Sequence, residues 1–241
     1  MNILELRSIT KHFGGLCAVN TLDLTMGKGE ILGLIGPNGA GKSTVFNCIA
    51  GVYQVSSGEI LFNGTPTAGM KPWDLCRKGL ARTFQLVKPF ASKTVLENVM
   101  VGAFLRTNST SRAREKAMRI LETLQLAHRK DQLSGSLTIA DRKRLEIAKA
   151  MATDPELLLL DEVMAGLRPT EVDEMISIIR GVRDRGMSIF IIEHIMRAVM
   201  ALSDRVAVIH FGSKIAEGRP EEVTKNEDVI KAYLGGEYVA A

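Results

Sequence analysis

An α/β fold built on a largely parallel sheet is expected for this 241-residue chain. Short apolar runs bounded by turn residues alternate with helical stretches, as strands do when crossover helices join them. One run, Leu157 to Leu160, is four leucines long and ends in two adjacent acids, Asp161 and Glu162. A continuous apolar run of that length fits a strand covered on both faces. The third signal is "GPNGAGKST" at 36–44, a glycine-rich turn between an apolar run and a helical pattern.

Residues 2–8, "NILELRS", alternate apolar and polar in the manner of a half-buried strand. "EILGLI" at 30–35 is an apolar strand that runs into the glycine turn. From Thr44 to Ala50 the pattern is helical, with Val45, Phe46, Ile49 and Ala50 on one side. "GEILFNG" at 58–64 is a strand closed by Asn63-Gly64, a strong hairpin signal. "LARTFQ" at 80–85 is a short strand ending on Gln85. Near residue 94 the character changes. "TVLENVMVGAFL" and "TSRAREKAMRILETLQL" are amphipathic helices, and a third spans about Ala140 to Ala152. Alternation then returns: "LLLLD", a helix over 170–185, "SIFIIE" at 188–193, a helix near 195–202 and "RVAVIHF" at 205–211. The central helices are therefore expected as an insertion into the α/β unit.

Composition narrows the function. A hydrophobic share of 46% and a charged share of 24% are ordinary for a globular protein. The net charge is only +4, with both signs interspersed, so no nucleic-acid partner is expected. The basic clusters at 112–119 and 142–144 carry no interleaved aromatics to stack bases. Cys17, Cys48 and Cys76 have no metal-ligand spacing and are expected as reduced thiols in a cytosolic protein. No apolar run reaches the length of a membrane span, and the N-terminus shows no secretory pattern. Any membrane role is then expected to come from docking onto another protein, at the inner face of the membrane.

The chemistry is concentrated at a few positions. Gly36-x-x-x-x-Gly41-Lys42-Ser43 follows a strand and opens a helix, which is the full phosphate-binding loop in its required context. Such a cradle takes in Gly36, Pro37, Asn38, Gly39, Ala40, Gly41, Lys42, Ser43 and Thr44. Its amides and the helix N-terminus face the phosphates. Lys42 is expected on the β- and γ-phosphates and Ser43 on Mg²⁺. The two acids after the leucine run then have a purpose. Asp161 is the carboxylate for the metal, and Glu162 is placed to take a proton from, or orient, an attacking water. Gln85 and His194 each follow an apolar run, where the carboxyl ends of parallel strands face a ligand crevice.

"GPNGAGKST", "ARTFQ", "LLLLDE" and "IIEH", in that order, resemble the ATP-binding subunits of ABC transporters along essentially the whole chain. The resemblance implies a P-loop NTPase, RecA-like core with an N-terminal antiparallel β portion. Residues 1–85 and 155–241 would form that core, and about 86–154 a helical subdomain. It implies an ATP-driven dimer with two ATPs held between each phosphate loop and the opposing chain's signature segment. It makes Gln85 the glutamine that touches Mg²⁺ and senses the membrane partner. His194 becomes the histidine that contacts the γ-phosphate, and Phe13 the aromatic that stacks on adenine. The partners implied are integral-membrane permease subunits, a second ATP-binding subunit and, indirectly, a periplasmic or lipid-anchored binding protein.

"KHFGGLCAVN", "RTFQLVKPFASKTVLENVMVG" and "EGRPEEVTKNEDVIKAYLGGEY" are similar to ATPases of branched-chain amino-acid importers. The lipopolysaccharide-export branch is an alternative that fits the first two segments less well. A soluble, non-transport ABC ATPase is a further alternative, against the absence of a second ATPase unit or coiled-coil arms in the sequence. A small-molecule kinase is disfavoured, because Glu162 beside Asp161 suits water as the acceptor.

The sequence also departs from the family. Where the signature segment usually reads Leu-Ser-Gly-Gly-Gln, this chain has Leu137-Thr138-Ile139-Ala140-Asp141. Thr138 keeps the hydroxyl of a nucleotide-contacting residue, whereas Asp141 adds a negative charge. Thr138 and Asp141 also have the spacing of a capping box for the following helix. Val163 replaces a usual proline and Arg168 a usual Asp or Asn. The second ATP-binding subunit can be a copy of this chain or a different one; if it is different, these changes imply two unequal ATP sites, with this chain's own phosphate loop in the stronger one.

Overall fold

The structure, a computed structural model, describes residues 2–84 and 88–234. Gln85 therefore lies outside the described residues. Two sheets organise the chain. The first is antiparallel, of β1 (Asn2–Phe13), β2 (Leu16–Gly27), β4 (Ser57–Phe62) and β5 (Thr65–Pro66), in the order β2-β1-β4-β5. The second holds β3 (Ile31–Ile35), β6 (Leu80–Arg82), β7 (Leu157–Asp161), β8 (Ser188–Ile192), β9 (Arg205–His210) and β10 (Ser213–Gly218). Its order is β10-β9-β3-β8-β7-β6, parallel except for β10.

The expected Asn63-Gly64 turn is present, with both residues at positive φ joining β4 to β5. The 12-residue strand β2 is a finding of the structure that the periodicity does not announce. Its buried residues are Val19, Leu22, Leu24 and Met26, so the parity of burial changes along it. The change coincides with a register irregularity in the β1–β2 pairing and with positive φ at Ser8 and Thr21. A bulge of this kind shifts every later side chain to the other face.

The helices lie between the strands. α1 (Lys42–Ile49) follows β3, and α2 (Pro72–Lys78) precedes β6. Between β6 and β7 in sequence come α3 (Val95–Ala103), α4 (Thr110–Thr123) and α5 (Ile139–Ala152), yet β6 and β7 pair directly. α6 (Pro169–Arg183) and α7 (Met196–Leu202) connect β7, β8 and β9. The chain continues through α8 (Pro220–Val223) and α9 (Glu227–Leu234).

The four leucines of β7 explain themselves in this frame. Leu157 and Leu159 join the core formed with α1 and the antiparallel sheet, beside Phe46, Ile49 and Phe190. Leu158 and Leu160 join the opposite core with α3–α6 residues, among them Val99, Leu145 and Ile179. All four are fully buried. Each such side chain contributes about 1.5–3 kcal/mol of burial free energy. The strand must stop being apolar where it leaves these cores, and there the carboxyl end carries Asp161.

A nucleotide cradle at the carboxyl ends of the parallel strands

β3 delivers the phosphate loop. Gly36 has φ 156°, and a Cβ there would sit 2.2 Å from the carbonyl oxygen of Ile209. Gly41 has φ 103° and caps α1, with a Cβ position 2.4 Å from Ala18 O. Only glycine meets both demands, since the conformation is left-handed and the clash is with backbone. The tip of the β9–β10 hairpin braces the loop: Gly212 N–H donates to Ala40 O at 2.9 Å, and Asn20 N–H to Gly212 O at 2.9 Å.

Lys42 is buried at 6% exposure, and its Nζ donates to Gly36 O at 2.7 Å and Pro37 O at 2.9 Å. The ammonium therefore spans the loop from beneath. Burial lowers its pKa, and the charges of Glu162 and Asp161 oppose that shift. A cleft of about 370 Å³ opens over the loop, lined by Phe13, Asn38 to Thr44, Glu162, His194 and Phe211 among others. Phe13 stands at its rim, 41% exposed, with its ring edge-on to Tyr53 at 5.1 Å and Lys11 Nζ 5.0 Å from its centroid. It is not a core residue, and its position suits a planar, apolar ring.

Asp161 is the last residue of β7, and Glu162 lies just beyond the strand. Asp161 is buried, its N–H bonded to Thr83 Oγ1 at 3.2 Å and its carboxylate 3.5 Å from Arg82. Desolvation raises its pKa, with Arg82 pulling the other way. Asp161 and Ser43 line one cleft together with Asn47 and Arg82. A hydroxyl and a carboxylate are hard oxygen donors and fit a divalent cation of the Mg²⁺ type. Among the described residues there is no group of three or more His, Cys, Asp or Glu that could hold a metal ion.

Glu162 has φ 48°, a left-handed conformation rare for a residue with a side chain. Its Oε1 lies 2.7 Å from His194 Nε2. The structure thus brings together Phe13, the loop from Gly36 to Thr44, Asp161, Glu162 and His194.

Thr138 is not among the residues lining the cleft. It caps α5, accepting from Asp141 N–H at 3.2 Å. The expected reciprocal half of the capping box does not form. The Asp141 carboxylate instead accepts from the Thr138 hydroxyl at 3.0 Å and pairs with Arg129 at 2.9 Å. Arg129 reaches the carboxylate from the turn after α4, so the same carboxylate oxygen faces both Arg129 and the Thr138 hydroxyl. Arg168 caps α6 and pairs with Glu171 at 2.8 Å, and Val163 is buried.

Two functional-looking residues escape sequence reasoning. Lys143 on α5 is buried and donates to the main-chain oxygen of Glu162 at 2.9 Å. Glu193, beside His194, is 2% exposed and accepts from Met164 N–H at 2.9 Å. Burial pushes its carboxyl up to about 7. A charged residue inside an apolar run, as in "SIFIIE", is the signal that marks Glu193. Lys143 sits in a basic cluster and gives no such signal.

A phosphate loop, a buried metal-type carboxylate and a glutamate–histidine pair at the ends of adjacent parallel strands define a P-loop ATPase. The chain belongs to the ABC transporter family, whose description matches residues 19–165. It is an ATP-hydrolysing subunit that powers a membrane transporter. It is 41% identical, over 97% of its length and 98% of theirs, to the high-affinity branched-chain amino acid transport ATP-binding proteins BraF of Pseudomonas aeruginosa and LivG of Escherichia coli. It is 34% identical to the lipopolysaccharide export system ATP-binding protein LptB of Haemophilus influenzae, over 99% of both chains. A second family description, branched-chain amino acid ATP-binding cassette transporter, matches residues 213–239. Among solved structures, a nucleotide-free ATP-binding cassette from an ABC transporter superposes with a TM-score of 0.89 at 31% identity, covering 98% of this chain and all of that one. An ABC transporter cassette in its ADP conformation gives 0.89 at 32% identity, over 98% and 99% of the two chains.

Proposed function

We propose that this chain drives uptake of branched-chain or closely related amino acids. The match of residues 213–239 to the branched-chain cassette description carries this reading. The higher identity to BraF and LivG than to LptB supports import over lipopolysaccharide export. The chain reads as one cassette, with residues 1–85 and 155–241 as its core and about 86–154 as its helical subdomain.

In the proposed reaction the cradle amides and Lys42 hold the triphosphate, and Phe13 stacks on adenine. Ser43, Asp161 and Gln85 would hold Mg²⁺, which would supply charge neutralisation at the phosphates. Glu162 orients the attacking water and accepts its proton, and His194 holds the Glu162 carboxylate in place. Two integral-membrane permeases dock on the helical side. An apolar cleft lined by Val52, Trp73, Leu80 and Phe84, just before residues 86–94, supports that assignment. No helix among the described residues is long and apolar enough to cross a membrane, so the permeases carry the transport path. A second ATP-binding subunit completes the dimer, and a periplasmic or lipid-anchored binding protein delivers the cargo.

The test is uptake of labelled leucine by cells lacking the chain. Complementation by the wild type and not by Lys42→Ala supports the reading. Restored lipopolysaccharide export with unchanged leucine uptake would replace it with the export function.

A further inference from the structure

Lys143 is a costly group to bury at this place. It lies at 7% exposure on α5, in the helical insertion, and burial lowers its pKa despite four surrounding carboxylates, Glu193, Glu162, Asp161 and Glu146. Its Nζ crosses to β7 and donates to Glu162 O at 2.9 Å. That carbonyl belongs to the residue held at φ 48°. The same turn is also fixed from the end of β8 and from within itself: Glu162 N–H donates to Ile192 O at 2.9 Å, Met164 N–H to Glu193, the residue after β8, at 2.9 Å, and Ala165 N–H to Glu162 O at 3.2 Å. Those three contacts involve only β8, the residue after it and the turn itself. The Lys143 contact alone among these comes from the insertion.

We infer that Lys143 is a positioning residue that holds the Glu162 turn in its left-handed conformation, so that the seating of the helical insertion governs whether the Glu162 carboxylate meets His194. An ammonium donating to a carbonyl is a charge-assisted bond, stronger than the backbone–backbone contact from Glu162 N–H to Ile192 O beside it. Glu162 sits in a sparsely populated backbone region and persists there only where its surroundings over-determine it. α5 starts at Ile139, four residues before Lys143, so displacement of the helix start carries the ammonium with it. Loss of the ammonium leaves that carbonyl only the 3.2 Å bond from Ala165 N–H, so the turn relaxes and the carboxylate separates from the imidazole. The inference rests on the reading of Glu162 as the residue that orients water.

The test uses the full chain co-expressed with its membrane and ATPase partners. Glu162→Gln sets the scale, because the turnover it removes is the Glu162-dependent part. Lys143→Met is expected to remove at least about nine-tenths of that part, with KM for ATP within about twofold, and Lys143→Arg to restore at least about half. A residue that merely tied α5 to the sheet would shift stability without this split between kcat and KM. If Lys143→Met does not fold, Lys143→Gln carries the same thresholds. The inference is overturned if the neutral variant keeps more than about half of the Glu162-dependent turnover, if KM rises in step, or if arginine fails to rescue. Full activity in Glu162→Gln would instead overturn the assignment of Glu162 and leave the geometry of Lys143 as a structural tie.

Discussion

His194 Nε2 and Glu162 Oε1 lie 2.7 Å apart, across the ends of the neighbouring strands β8 and β7. The histidine is half-exposed and the glutamate largely covered, and both line the cleft over the phosphate loop. His194→Ala is expected to lower kcat by about ten- to a hundredfold, because the loss is one of orientation. Nucleotide affinity, followed by a fluorescent ATP analogue, should stay within about twofold.

The two halves of a mixed dimer should be unequal. The Thr138 hydroxyl caps Asp141 N–H, and the Asp141 carboxylate pairs with Arg129, so the start of α5 offers one occupied amide and a negative charge to any approaching phosphate. In a complex with a second ATPase subunit, Glu162→Gln in this chain is expected to abolish nearly all turnover. Retention of half or more would show that both sites work. Thr138→Ala should cost about 1 kcal/mol in urea unfolding through the lost cap.

Gly41→Ala should be far worse than Gly39→Ala. Both glycines have positive φ, but only at Gly41 would a Cβ strike backbone, 2.4 Å from Ala18 O; at Gly39 the space is open. Gly41→Ala is expected to destabilise by about 2–4 kcal/mol and to weaken nucleotide binding, whereas Gly39→Ala should cost about 1–2 kcal/mol. Paired urea titrations decide the order.

Phe13→Ala should weaken ATP binding by roughly five- to tenfold, the worth of one aromatic stack, and Phe13→Tyr should not. An unchanged affinity in the alanine variant, by the same fluorescent analogue, would return Phe13 to a purely structural role beside Tyr53.

Glu193 gives a pH dependence with a definite sign. Its folded pKa is raised to about 7 from 4.5, chiefly by burial. Between those values the folded state binds more protons than the unfolded one, so this group's contribution to stability falls as pH rises. Glu193→Gln keeps an acceptor for Met164 N–H and removes the buried charge. The variant should therefore gain up to about 3 kcal/mol over wild type at pH 8 and little at pH 4.5, by denaturant unfolding at both values.

Much of this was legible before any coordinates. The leucine run, the phosphate loop and the terminal acids locate β7, β3 and the cradle, because each is a local pattern with one physical solution. β2 escaped, since the bulges near Ser8 and Thr21 break the alternation that would have marked it. The position of Asp161 and Glu162 in the fold followed from their neighbours, but the left-handed turn at Glu162 did not. It depends on Lys143 and Ile192, which are distant in sequence and carry no motif. Gln85 falls outside the described residues, and its role stays with the proposal.

The strand that feeds the phosphate loop has a consequence for synthesis. β3 emerges early from the ribosome, yet its two neighbours, β8 and β9, come from the last quarter of the chain. The hairpin tip that braces the loop through Gly212 is translated later still. The antiparallel β1–β2 pair can close at once, while the cradle must wait for distant contacts to be translated and docked. A nascent chain arrested before β9 should therefore hold its first hairpin and fail to retain ATP, which keeps an unfinished cassette from burning fuel.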